Sequence, residues 1–255
     1  MPVLFFGHGS PMNAISDNAY TRTLARVGRE LPKPRAILCV SAHWMTEGTW
    51  VTGMDKPRTI HDFSGFPEDL FKVQYPAPGD PETAKQIASL VSDPKIHIDQ
   101  DMWGLDHGTW AVLRHMYPNA DVPALQLSIY LEQSAEYHYL VGQQLRALRE
   151  QGILIVGSGN IVHNLRRMRW EDHAKPYDWA VEFDEWVKTR LVARDDNALI
   201  RDYLSTAEGK LSVPTPDHYF PLLTILGAAE RSDELKFLYE GVPNGSISMR
   251  SLRLG

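Results

Sequence analysis

Three short apolar runs in this chain each lead into a histidine. Residues 3–6 run into Gly7-His8-Gly9, and residues 36–41 into Ala42-His43-Trp44. Residues 153–156 run into Gly157-Ser158-Gly159-Asn160, with His163 just beyond. Runs this short, rich in Val, Ile, Leu and Phe and bounded by Gly or polar residues, predict buried strands. The carboxyl ends of parallel strands share one edge, and that edge is where such sheets bind ligands. Imidazoles far apart in sequence would therefore converge in space. Neutral imidazoles gathered without thiolates suit Zn, Fe, Cu or Ni. Any imidazole left over can carry protons, because its ordinary pKa of about 6.5 lies near working pH.

The local settings sharpen this reading. His8 sits between two glycines, where the backbone can approach a ligand closely. A helix starting near Asn160 would place His163 in its first turn, with the glycine turn shaping that start. His107 enters a further helix from an aromatic-flanked loop, Trp103 to Trp110, with Asp106 as its cap. His218 follows Pro214-Thr215-Pro216-Asp217, a stiffened segment that holds a side chain at low entropic cost. Of the other histidines, His97 is expected to point off a strand face. His115, His138 and His173 read as solvated, and His61 is left open at the start of an aromatic loop. No H-E-x-x-H or Cys–His finger spacing is present. Gly157-Ser158-Gly159 lacks the flanking pattern of a nucleophile elbow and the glycine spacing of a dinucleotide fingerprint. The residues thus point to a mononuclear, histidine-rich metal site with spare histidines for proton transfer.

Positioning such a site takes an ordered scaffold. Strands are expected at 3–6, 36–41, 124–129 and 153–156, with a final edge strand at 247–252. Helical periodicity falls at 18–31, 81–91, 135–150, 177–192 and 216–229. This alternation implies an α/β fold: one domain over residues 1–255, with a central, mainly parallel or mixed sheet flanked by helices. The 255 residues can bury a sizeable core unaided. With 26 basic against 32 acidic residues, a broad nucleic-acid surface is not expected. Cys39 is the only cysteine, so an intrachain disulfide, a Cys-rich zinc site and an Fe–S cluster are excluded. No membrane span or leader peptide is read, and a cytoplasmic protein is expected.

Taken in order, the motifs resemble a known family. Gly7-His8-Gly9-Ser10-Pro11, Ser41-Ala42-His43-Trp44, Ile60-His61-Asp62-Phe63, Gly65-Phe66-Pro67, Asp106-His107-Gly108, the run from Gly157 to Leu165 and Pro216-Asp217-His218-Tyr219 span the chain. Together they resemble the LigB-like class III extradiol ring-cleavage dioxygenases, in their 4,5-DOPA dioxygenase subgroup. The resemblance implies ring cleavage of a catechol (DOPA-like) substrate by O2 at a non-haem Fe(II) centre, with Zn(II) as another possible occupant. It implies His8 and His43 as metal ligands, with His218 where wider relatives carry a glutamate. His163 and His107 would be the acid/base pair, His163 serving also as a fourth ligand when no catechol is bound. Trp44, Phe63, Trp110 and Tyr219 are the candidates for an apolar wall around the ring. The implied partners are a small-molecule catechol and O2, without nucleic acid or membrane; the oligomeric state is left open. Two other readings of the same histidines are a zinc-dependent hydrolase and a Memo-like non-enzymatic binding protein on the same fold.

Overall fold

The computed structural model describes every residue except 92, 94, 172 and 173. Ten strands are described: β1 (Val3–Gly7), β2 (Ala36–Met45), β3 (Thr49–Thr52), β4 (Arg58–Thr59), β5 (Ile96–Asp99), β6 (Gly104–Leu105), β7 (Ala124–Ile129), β8 (Ile153–Gly159), β9 (Leu235–Tyr239) and β10 (Ser251–Leu254). Eight of them form one sheet in the order β5-β3-β7-β2-β8-β1-β10-β9, and β4 pairs with β6 apart from it. The middle of the sheet, β7-β2-β8-β1, is parallel; β10 and β9 continue it antiparallel. The expected α/β architecture with a central mixed sheet is therefore what the chain adopts.

Around the sheet lie α1 (Ala19–Glu30), α2 (Glu68–Phe71), α3 (Pro81–Leu90), α4 (His107–Met116), α5 (Ala135–Leu145), α6 (Asp178–Ala193), α7 (Asp196–Arg201), α8 (Ala207–Ser212) and α9 (Phe220–Ala228). Alternation along β1 explains the layering. Val3 and Phe5 join the core on one face, with residues of α5, α6 and α9. Leu4 and Phe6 join the core on the other, with residues of α1 and α4. Helix starts follow their caps: Asn18 forms a capping box with Thr21, Asp80 accepts from Thr83 N–H, and Asp106 accepts from Thr109 N–H.

Two expectations about the chain path fail. The last core strand starts at Ser251, four residues later than expected, and lies between β1 and β9 rather than at an edge. The edge on that side, β9, has only a half-buried face and so lacks a continuous apolar run. No helix begins at Asn160. The backbone after β8 instead makes a bridge between His163 and Ile247, and the His163 N–H donates to Ser212 O at 2.9 Å. Among the described residues, no helix is long and apolar enough to cross a membrane.

Candidate metal centre

β1, β2 and β8 end side by side, as parallel register requires: Gly7 faces Gly159, and Ser41 faces Ser158. His8 and His43 therefore emerge at one edge. His218 arrives from the other side of Gly159, just ahead of α9. A Cβ at Gly159 would lie 2.2 Å from His218 O, so only glycine permits this approach. The same residue pins both partners. His8 N–H donates to Gly159 O at 3.0 Å, and the next amide, Asn160 N–H, donates to His218 O at 2.9 Å.

The imidazoles then fall together. Ring centroids of His8 lie 5.0 Å from His43 and 5.3 Å from His218, and those of His43 and His218 are 5.0 Å apart. His107 lies 4.0 Å from His43, and the His163 ring stacks on His218 at 3.4 Å. All five line a cavity of about 1030 Å³.

Hydrogen bonds fix which nitrogen of His8 and His218 faces inward, and the charge of a nearby carboxylate orients His43. Ser158 Oγ donates to Gly108 O at 2.6 Å, so its lone pairs must accept from His8 Nδ1–H at 3.0 Å. His43 Nδ1 faces the Asp62 carboxylate at 3.4 Å. His218 Nδ1 donates to Asp217 Oδ2. With each Nδ1 carrying its proton, each Nε2 is left with a lone pair. His8 Nε2 and His43 Nε2 face each other at 3.0 Å with no proton between them in this arrangement. His218 Nε2 is buried without any partner. Lone pairs turned on one another are repulsive until a cation sits among them, and nitrogens oriented through their other ring atom are how proteins prepare metal ligands.

Donor-atom spacing alone groups the residues differently. His8, His43 and His107 form one set within 4.8 Å, and His163, Asp217 and His218 form another. Hydrogen-bond roles discriminate better than spacing, because Asp217 is already engaged by His218 and the His107 Nδ1 donates to Asp62 Oδ2 at 2.8 Å. Burial pushes the pKa of His8, His43 and His163 well below the ordinary histidine value, and neighbouring imidazoles push it further. All three are neutral at pH 7, the form that binds a metal or accepts a proton. Asp217 is held down at about 2: burial opposes ionisation, but the hydrogen bond from His218 outweighs it. Asp106 moves the other way, to about 6, through burial and the nearby Asp62 charge.

The expected apolar wall is only partly right. Phe63 lines the cavity, but Trp44, Trp110 and Tyr219 do not. Trp44 stacks on Trp103, Trp110 Nε1–H donates to Ile60 O, and Tyr219 O–H donates to Leu199 O. Each is core, with its polar atom or ring face already used. The cavity instead takes Met12, Phe66, Met168, Trp170, Ile247 and Met249. His138, expected in solvent, is buried against Phe220. His97 packs against Trp50 and His61 bonds Val73 O, both away from the centre, while the half-buried His115 bonds Asn13 O. His173 lies outside the described residues. Sequence reasoning missed Asp62, Asp217 and Ser158 as the groups that orient the imidazoles. Asking which carboxylate or hydroxyl would hold each Nδ1 would have singled out at least the Asp217-His218 pair.

Comparison with known proteins decides the family. The model of the catalytic LigB subunit of aromatic ring-opening dioxygenase matches residues 5–250. The chain belongs to the LigB family. An Escherichia coli (strain K12) protein named 4,5-DOPA dioxygenase extradiol is 48% identical over 258 residues, covering 100% of this chain and 95% of that one. A Beta vulgaris protein of the same name is 36% identical over 98% of this chain and 94% of its own length. The crystal structure of an uncharacterized Escherichia coli K12 protein superposes with a TM-score of 0.88 at 44% identity, over the full length of both chains. The LigB membership and the extradiol ring-cleaving enzyme class read from the motifs are thereby established, and the hydrolase and non-enzymatic readings give way to them.

Proposed function

We propose that this LigB enzyme cleaves the ring of a catechol beside its hydroxyls, using O2 and a ferrous ion held by His8, His43 and His218. The observation that carries this reading is the approach of His8 Nε2 to His43 Nε2 at 3.0 Å beside an unpartnered His218 Nε2, with Ser158, Asp62 and Asp217 at the three Nδ1 atoms. Three neutral nitrogens without a thiolate suit Fe(II), and equally accept Zn(II). When bound, the ferrous ion supplies open positions for the catechol oxygens and O2 and lowers the phenolic pKa.

The chain's own residues do the rest. His163, neutral through burial, accepts a phenolic proton at the edge of the cavity and later returns it to the departing oxygen. Its stacking on His218 holds the ring at a fixed orientation during both transfers. His107, tied through Nδ1 to Asp62, keeps a lone pair on Nε2 and serves as the second acid/base group. Phe63 and Phe66 pack edge-to-face and with Met249 give the catechol ring an apolar seat that excludes water. Among the described residues that line the cavity Arg166 is the only Lys or Arg, and it favours a catechol that carries a carboxylate on its side chain.

The test is anaerobic reconstitution with Fe(II) or Zn(II), followed by a catechol and oxygenated buffer. Oxygen uptake with a yellow semialdehyde product is expected with Fe(II) and not with Zn(II). Metal-loaded protein that consumes no oxygen with catechol, 3,4-dihydroxyphenylpropionate or DOPA would overturn the reading.

A further inference from the structure

One oxygen of Asp62 serves two histidines that the proposed function gives different tasks. Asp62 Oδ2 lies 2.8 Å from His107 Nδ1 and 3.4 Å from His43 Nδ1. Its other oxygen, Oδ1, accepts the backbone N–H of His107 at 2.9 Å, which locks the carboxylate to the first residue of α4. Two hydrogen bonds from His107, one from its backbone and one from its ring, use both carboxylate oxygens as acceptors. Asp62 itself comes from the loop between β4 and α2, outside the strand and helix that carry the two rings.

We infer that Asp62 is the positioning residue that sets the tautomer of both His43 and His107, and so joins the metal centre to the proton-transfer group. The inference rests on His43 being a ligand, as proposed above. A carboxylate has only acceptors, so both rings must turn N–H toward it and lone pairs into the cavity. An asparagine of the same shape cannot do this. With its oxygen at the shared position, its NH2 would face the His107 backbone N–H, donor against donor. Flipped, its NH2 would face both Nδ1 atoms and drive each proton to Nε2. The His43 proton would then stand where the cation must bind.

Asp62→Asn is therefore expected to weaken metal binding although Asp62 does not touch the metal. The loss should be about 10–100-fold, the usual cost of removing a group that orients a ligand, read by chelator competition with Zn(II). In the zinc-loaded full chain, imidazole ¹⁵N spectra should show the His107 proton on Nδ1 in the wild type and on Nε2 in the variant. Asp62→Glu, which keeps two acceptor oxygens, should recover the wild-type tautomer and most of the affinity. A merely structural role would lower stability and leave the tautomer alone.

Wild-type His107 protonated on Nε2 would overturn the inference without any variant, and so would Asp62→Asn binding zinc within twofold of wild type. If the wild type itself binds neither Zn(II) nor Fe(II), the proposed function fails instead, while the tautomer measurement still tests the role of Asp62 at His107.

Discussion

Two of the buried polar clusters among the described residues are built to opposite plans. Around Arg250, which is only 1% exposed, the Asp184 carboxylate accepts from both Nε and Nη2, while Glu185 and Glu240 take the remaining side of the guanidinium. Ser248 O–H donates to Asp184 as well. Donors there meet acceptors and positive charge meets negative, so the cluster is complete from the chain alone. It fastens the segment carrying Ile247 and Met249, two residues of the cavity wall. At the histidine centre the outer Nδ1 atoms of His8 and His218 are hydrogen-bonded and that of His43 faces a carboxylate, which leaves the three Nε2 atoms as acceptors. Full pairing outside with lone pairs inside marks the difference between a cluster that holds a fold together and one prepared for a cation.

Removing single members should separate the two plans. His8→Ala or His43→Ala should abolish stoichiometric metal binding and with it turnover, measured by metal analysis and oxygen uptake. Unfolding in denaturant should show little loss of stability for these variants in metal-free protein, because they relieve facing lone pairs. His163→Ala should keep its metal and lose about 10²–10⁴-fold in kcat, the usual worth of an acid/base group. Equal metal loss in all three would make His163 a ligand first. Asp184→Ala should behave in the contrary way. It should cost about 1–3 kcal/mol of stability by leaving Arg250 Nε and the Ser248 hydroxyl buried without their acceptor, with metal affinity per folded molecule unchanged.

A third histidine environment supplies a control. His138 is as buried as His8, but its Nε2 bonds Tyr130 O and its ring stacks on Phe220. Burial lowers its pKa to about 4, only partly offset by the Tyr130 carbonyl. The unfolded chain therefore takes up this proton first, near pH 6.5, and the folded chain only near pH 4. Stability should fall as pH drops through that window, by about 3 kcal/mol from His138. His138→Gln should flatten the pH dependence of the denaturation midpoint accordingly, without changing metal binding. The smallest effect expected is at the rim. Arg166→Gln should raise KM about fivefold for 3,4-dihydroxyphenylpropionate and leave that for unsubstituted catechol within twofold, an exposed charge contact being worth about 1 kcal/mol.

Sequence alone revealed the strand ends and therefore the gathering of His8, His43 and His163, because period and run length report strands and parallel strands share an edge. The place of His218 followed from its stiff proline segment together with the family motifs. What stayed hidden was contact between side chains. Asp62 is 45 residues from His107, and nothing in that spacing tells which carboxylate oxygen meets which nitrogen. The aromatic wall failed for the same reason: Trp44, Trp110 and Tyr219 flank the right loops, but apolar rings fit a core as well as a cavity. The strand β9 escaped because an edge with one solvated face carries a weak pattern.

The most direct test is a crystal structure of the full chain loaded with Zn(II) or, anaerobically, with Fe(II), the ion located by its anomalous scattering. We predict one ion bound through Nε2 of His8, His43 and His218, with zinc–nitrogen distances of about 2.0–2.1 Å and each Nδ1 still paired with Ser158, Asp62 or Asp217. An ion bound through Nδ1, or held elsewhere while these three rings remain empty, would contradict it.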